Sequence, residues 1–158
     1  MDVDLLVRAA ALVTVLGTGV VYGTDVFCAM VMRPALARID DAMLVTVMGH
    51  VHHYGDRRMV IPGVLGVVAA AVCTIAAAAA AHWTQAVAAG TALAALSIWL
   101  LLYIRISAPI NRQLTTAADT DQPLPNGRAL QARWDSIING RAVLQGLAVT
   151  AACVVLLT

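Results

Sequence analysis

Lysine and glutamate are absent from this 158-residue chain: the ten basic residues are all arginine, the nine acidic ones all aspartate, and the formal net charge is +1. Charged residues make up only 12% of the sequence, against about a quarter in an ordinary soluble domain, so a charge-rich soluble surface is excluded. The near-zero net charge, with no nucleic-acid-binding motif, argues against a nucleic-acid partner. Phenylalanine occurs once and cysteine three times. Cys28, Cys73 and Cys153 fall on three separate apolar segments with no paired spacing, which excludes a redox or zinc motif and leaves them as small packing residues. Neither a Ser-His-Asp constellation nor a phosphate-cradling glycine loop is present.

What the chain does have is apolar length: 61% of its residues are hydrophobic. Four runs, at about 5–31, 59–81, 85–107 and 139–158, reach the roughly 20 residues that a membrane-spanning helix needs. Backbone in hydrocarbon must satisfy its own hydrogen bonds, and the runs are too long for barrel strands. The expected fold is therefore all-α: a single domain over 1–158, built as a four-helix transmembrane bundle with the lipid bilayer as its first partner. The first span is expected to be retained rather than cleaved, because Asp2 and Asp4 stand where a signal peptide carries positive charge. Nine of the ten arginines lie in or beside the connections after the first and third spans. The positive-inside rule places those connections in the cytoplasm and both termini, with the His82-Trp83 turn, outside.

The first connection has a helical period of its own. Ile39, Met43, Val47, Val51 and Tyr54 recur at three- and four-residue steps, predicting an additional amphipathic helix on the cytoplasmic side of the membrane, with this row on its apolar face. The second connection, from Thr115 to Arg128, is polar, carries Pro123, Pro125 and Gly127, and reads as an irregular loop. The alanine run at 76–81 suits close helix packing.

Polar residues inside the spans point to a site. Thr14, Thr18, Tyr22 and Asp25 form one stripe on the first span, and Trp134, Ile138, Arg141 and Gln145 form one on the last. Lipid would leave both unsatisfied, so the stripes are expected to face each other, with Asp25 and Arg141 at similar depth. The pair serves either a functional site or helix packing alone. Gly19 and Gly23 fall on another face, where they would admit a neighbouring helix of the same chain or of a homo-oligomer. In the amphipathic helix, His50 is read on the apolar side, His53 on its border beside Arg57, and His52 with Asp56 pointing away. His50 and His53 are spaced to share a metal with Asp25 as an oxygen ligand, which would suit a copper, iron or zinc centre. Haem fits less well, since no second intramembrane histidine is available as an axial ligand.

Three short runs carry a resemblance. Val31–Leu36 (VMRPAL) follows the glycine-bearing first span, Ala108–Leu114 (APINRQL) ends the third, and Arg133-Trp134 is followed by Arg141 and AVLQGLA. In their order along the chain these resemble the anthrone oxygenase-like membrane family. The resemblance implies a four-helix membrane protein, some of whose relatives oxidise anthrones to anthraquinones with O2 as co-substrate. It marks Pro34 as a helix-boundary residue and Asn111, Trp134 and Arg141 as the signature. Ile138 departs from the pattern, which often has asparagine there, and implies a branch with a different substrate. An anthrone dissolves in a bilayer and carries an acidic C–H. His50 or Asp25 is then the expected catalytic base, Arg141 and Asn111 the groups that stabilise an enolate-like oxygen, and Tyr22, Thr18, Trp134 and Gln145 the substrate-binding lining. The alternatives are oxygen activation at a metal on His50 and His53, a non-catalytic protein that binds or escorts a hydrophobic intermediate, and a small transporter. The wholly apolar outer halves of the spans and the lack of an inverted repeat disfavour the last.

Overall fold

A computed structural model describes residues 2–158 and is helical almost throughout. Five helices follow one another: α1 (Val3–Leu36), α2 (Asp41–Arg58), α3 (Val60–Ala79), α4 (Trp83–Asp119) and α5 (Gly127–Leu157). All but α2 are long and apolar enough to cross a membrane. α1 packs on α3 and α5, and α4 closes the ring between α3 and α5. Neighbours in this ring run antiparallel. The outward face is apolar on every span, as Leu16, Ile75, Val87 and Val143, each 62–70% exposed, illustrate. Lipid accommodates such a surface and water does not.

The end of the bundle that holds both termini is packed from small residues. Val7, Ala10 and Ala11 of α1 meet Cys73 and Ala77 of α3, Ala86 and Ala89 of α4 and Val155 of α5. Because lipid tails are as apolar as leucine, such helices associate through close van der Waals contact, which small side chains allow. Among the four spans α1 and α3 come closest at a glycine: a Cβ on Gly17 would come within 2.7 Å of the Pro62 carbonyl oxygen, and one on Gly66 within 2.7 Å of Thr18 Oγ1. Gly19 and Gly23 make no such approach within the chain, having no atom within 4 Å. Helix rotation decided this, since Gly17 rather than Gly19 shares a face with the buried Thr14 and Thr18.

The other end is extended by a cap. α4 and α5, with 37 and 31 residues, run roughly 55 and 46 Å at 1.5 Å per residue, beyond a hydrocarbon core of about 30 Å. α2 lies against these extensions, so that Leu44, Val45 and Met48 pack with Ile110, Leu114, Trp134 and Ile138. Gly49 allows the contact, because a Cβ there would come within 2.5 Å of the Leu114 carbonyl oxygen. Asp40 caps the start of α2 by accepting the Met43 N–H at 2.8 Å, and Arg128 of α5 bonds Asp41 and the Ile39 carbonyl.

The cap corrects two expectations. The inner face of α2 carries Leu44, Val45, Met48, Gly49 and His52, while Met43, Val51 and Tyr54 are exposed. Hydrophobic periodicity cannot say which apolar row meets protein when the other can meet membrane; the close fit at Gly49 does. The segment from Thr115 to Asp119 continues α4 rather than forming a loop, because its alanine-bearing face packs on α2; only 120–126 is irregular.

α1 and α4 each contain one π-helical turn, Cys28–Met32 and Tyr103–Ser107, and each turn ends two residues before a proline, Pro34 and Pro109. A proline ring crowds the carbonyl four residues back, and the wider turn relieves that clash while keeping the helix continuous.

Gly17→Ala should lower stability by about 1–3 kcal/mol, since the neighbouring Pro62 backbone cannot move aside. Gly19→Ala and Gly23→Ala should be neutral or slightly stabilising, alanine being the better helix former. Thermal unfolding of the three variants in one detergent provides the comparison.

Candidate functional site

The two π turns lie level with the innermost polar residues. Asp25, just before the first turn, and Ser107, at the end of the second, converge on Arg141 of α5, all three being 5% exposed or less. Arg141 donates from Nε to Asp25 Oδ2 at 3.1 Å, from Nη2 to Asp25 Oδ1 at 2.9 Å and from Nη1 to Ser107 Oγ at 2.8 Å. Gln145, one turn further along α5, donates to Asp25 Oδ2 at 2.5 Å. Three indole or phenol rings surround the guanidinium, with its carbon 5.4 Å from the Trp134 centroid, 5.9 Å from Trp99 and 6.0 Å from Tyr103. The bidentate geometry and the ring faces together offset the cost of taking the charge out of water.

Arg141 forms the inner end of a cavity of about 330 Å³, at the lower end of the roughly 300–1,000 Å³ that small-molecule sites occupy. Its wall is overwhelmingly apolar, with Val21 and Cys28 of α1, Met48 of α2, Val60, Val64 and Val67 of α3 and Leu100 of α4. The polar residues on it are few: Thr24, Asp25, His52, Asp56, Asn111 and Arg141, beside the three aromatic residues that box the guanidinium. Asp56 accepts from Tyr103 Oη at 2.9 Å and from Asn111 Nδ2 at 2.8 Å, so α2 is tied to α4 across the top of the cavity. Three N–H groups of Arg141 are engaged out of the five that a guanidinium carries, leaving two for a ligand. Among the lining residues, His52 Nε2, Asn111 Oδ1 and the Trp99 and Trp134 indole nitrogens are buried without partners.

His52 is 5% exposed, and its ring lies 5.5 Å from that of Trp134. Burial, reinforced by the positive charge of Arg141 and opposed in part by Gln131, pushes its pKa from 6.5 down to about 4. The imidazole is therefore neutral at neutral pH.

Of the residues proposed from sequence, Asp25, Asn111, Trp134 and Arg141 share this cavity. Gln145 is buried behind it as a partner of Asp25. Thr18 packs on Gly66, and the Tyr22 ring lies against Gly146 of α5, where a Cβ would come within 3.3 Å; neither lines the cavity. His50 is exposed and also outside it, because it shares the outward face of α2 with Met43 and Tyr54. His53 bonds Asp119 of α4 at 3.1 Å. The expected metal set of His50, His53 and Asp25 is thus dispersed, and no group of three His, Cys, Asp or Glu side chains among the described residues is placed to hold an ion. Three spans of sequence had hidden partners. His52 and Asp56 are four residues apart on the face of α2 read as pointing away. Trp99 and Tyr103 have the same spacing on the third span and stack with centroids 6.2 Å apart. Ser107 carried no signal beyond its place before Pro109.

No protein-family model, no curated protein and no solved structure matches this chain.

Removing Asp25 alone should cost about 3–5 kcal/mol, because Arg141 is left as a buried unpaired charge, while the Asp25→Leu/Arg141→Met double variant should recover part of that loss. Unfolding in detergent of the two single variants and the double variant measures the coupling. His52 gives a second expectation. Its folded-state pKa lies below the unfolded one, so the stability linked to its neutral form is present above about pH 6.5 and is lost as pH falls toward 4, by about 3 kcal/mol in all. In His52→Phe that part of the pH dependence should vanish.

Proposed function

We propose that this chain is a membrane-embedded oxygenase for a small hydrophobic carbon acid, and that its substrate enters the cavity from the bilayer. The observation that carries the reading is the juxtaposition, at the closed end of an apolar cavity, of a guanidinium with two free N–H donors and a buried neutral imidazole. The order of the VMRPAL, APINRQL and RW–Arg141 runs, which resembles the anthrone oxygenase-like family, supports the same reaction class.

In this reading Arg141 and Asn111 bind the substrate carbonyl oxygen, and His52 replaces His50 as the base. Asp25 is a poor base here because both its oxygens already accept hydrogen bonds from Arg141 and Gln145; it is a positioning residue for the guanidinium. The proton on the carbon beside the carbonyl passes to His52 Nε2, and the charge left behind moves onto the oxygen at Arg141. An imidazole with a pKa near 4 is a weak base on its own. It gains basicity once the enolate forms beside it, since each new charge stabilises the other where water is excluded. The enolate gives an electron to O2 and the radicals combine to a hydroperoxide, which loses water. Overall a CH2 group and O2 become a carbonyl and H2O. Every step uses O2 and the side chains present, and none requires an ion on the dispersed His50, His53 and Asp25.

The arginine-rich end carrying α2 is, on the positive-inside rule, the cytoplasmic one, which puts both termini outside. A non-catalytic role as a binding protein for a hydrophobic intermediate is favoured by one observation, the predominance of apolar wall over polar groups.

Oxygen consumption by detergent-purified protein with an anthrone as probe separates the two readings. His52→Gln should lower kcat by about 10²–10⁴-fold, the usual worth of a general base. His50→Ala should leave it unchanged. Substrate binding without oxygen uptake in the unaltered protein would replace the oxygenase with the binding role.

A further inference from the structure

The cavity is not a closed pocket around a compact ring. Its lining follows one face of α3 for two turns, through Val60, Gly63, Val64, Val67 and Val68, which recur at three- and four-residue steps. Val60, Val64 and Val68 are each 50–54% exposed, so this row is at once cavity wall and lipid-facing surface. Eight residues separate its ends, giving a slit roughly 12 Å long between α3 and α4. Gly63 lies between the slit and the inner chamber; an alanine Cβ there would sit 3.5 Å from the Trp99 ring, in ordinary contact, and a larger side chain would crowd that ring. The α3 side of the slit is aliphatic throughout; every charged or amide group on the cavity belongs to α1, α2, α4 or α5.

We infer that the ligand is an amphiphile with a single aliphatic tail, its oxygen-bearing head against Arg141 and its tail lying in the α3–α4 slit. The inference rests on the reading of this cavity as the site for a membrane-dissolved substrate and names the class of that substrate. Two physical facts orient the molecule. The hydrogen-bond donors open to an oxygen are the two unengaged N–H groups of Arg141, the second Nδ2 hydrogen of Asn111 and the indole N–H groups of Trp99 and Trp134, and a polar head at Val64 or Val68 would sit unsatisfied among lipid tails. The pairing of Arg141 with Asp25 leaves the inner end without a free positive charge, so the head is a neutral carbonyl or phenol rather than a carboxylate or phosphate. A tail arriving from lipid gains no transfer energy, being already in an apolar medium. Its contribution is therefore shape, and a cavity of about 330 Å³ suits one chain rather than the two of a diacyl lipid.

Photolabelling of the full-length protein in phosphatidylcholine vesicles tests this without any turnover, so its outcome is independent of the oxygenase reading. Two probes serve, a para-alkylphenol with a diazirine at the end of its chain and the same phenol with the diazirine on its ring. The chain-end probe should mark residues 60–68 saturably, with competition from unlabelled alkylphenol, and the ring probe should mark Met48 or Trp134. Val64→Trp, a change on a lipid-facing position that should not disturb folding, should cut saturable labelling by the long-chain probe at least tenfold while a phenol with a methyl group in place of the chain still competes for the ring probe. Non-saturable labelling spread over the lipid-facing girdle, at Leu16, Ile75 or Val143, would overturn the inference. So would chain-end labelling at Trp134 with ring labelling at Val68, which reverses the orientation, or competition by phosphatidylcholine itself.

Discussion

The Asp25–Arg141 pair is the constraint around which the membrane-embedded part is arranged. A guanidinium taken out of water has to be matched in charge and in hydrogen bonding, and here the match is drawn from three spans: a carboxylate from α1, a hydroxyl from α4 and the pair's own amide neighbour on α5. The rest of the bundle is alanine-rich and would allow several rotations of each helix at similar van der Waals energy. A buried, bidentate ion pair does not, since rotating α1 by a single residue would move the carboxylate away from the guanidinium. A polar group of this kind fixes register more than it adds stability. The π turns belong to the same arrangement, because they set the terminal segments of α1 and α4 relative to the residues that reach Arg141.

From this follows the character of the cavity. The pair neutralises itself, so the chamber beside it has a donor surface without net charge, and the aromatic box shields it from water. A neutral imidazole and a paired guanidinium can coexist there because neither requires a counter-ion from solution. The cap formed by α2 supplies the imidazole and the Asp56 link to Tyr103, which places the site at the boundary between span and cap rather than at mid-membrane. Along α3 the same cavity borders the exposed surface at Val60, Val64 and Val68.

The cap also shows why motif spacing misled where it did. His50 and His53 are neighbours in sequence and on one helix, yet α2 is an interface helix with an apolar row on each side. One row meets α4 and α5 and the other faces outward, and both contain bulky residues at helical spacing. The close approach at Gly49 selects the inner row, and a glycine is the residue to which hydrophobicity counts give least weight.

The number of long apolar helices was legible in the sequence, because apolarity over a spanning length is a local property of each segment; the extensions of the third and fourth beyond the apolar runs, to Asp119 and back to Gly127, were not. The sequence by itself also determined the buried stripe Trp134, Ile138, Arg141 and Gln145, because a charged residue in hydrocarbon can point only inward. The amphipathic helix between the first two spans was legible from its period as well. Packing of the helices was needed to show which side of that helix is inner, that His52 and Asp56 rather than His50 line the cavity, that Gly17 and not Gly19 is the point of close approach, and that Ser107 completes the guanidinium's partners. Each of these depends on the rotation of one helix against another. That rotation is set by contacts between residues tens of positions apart, of which no single segment holds a record.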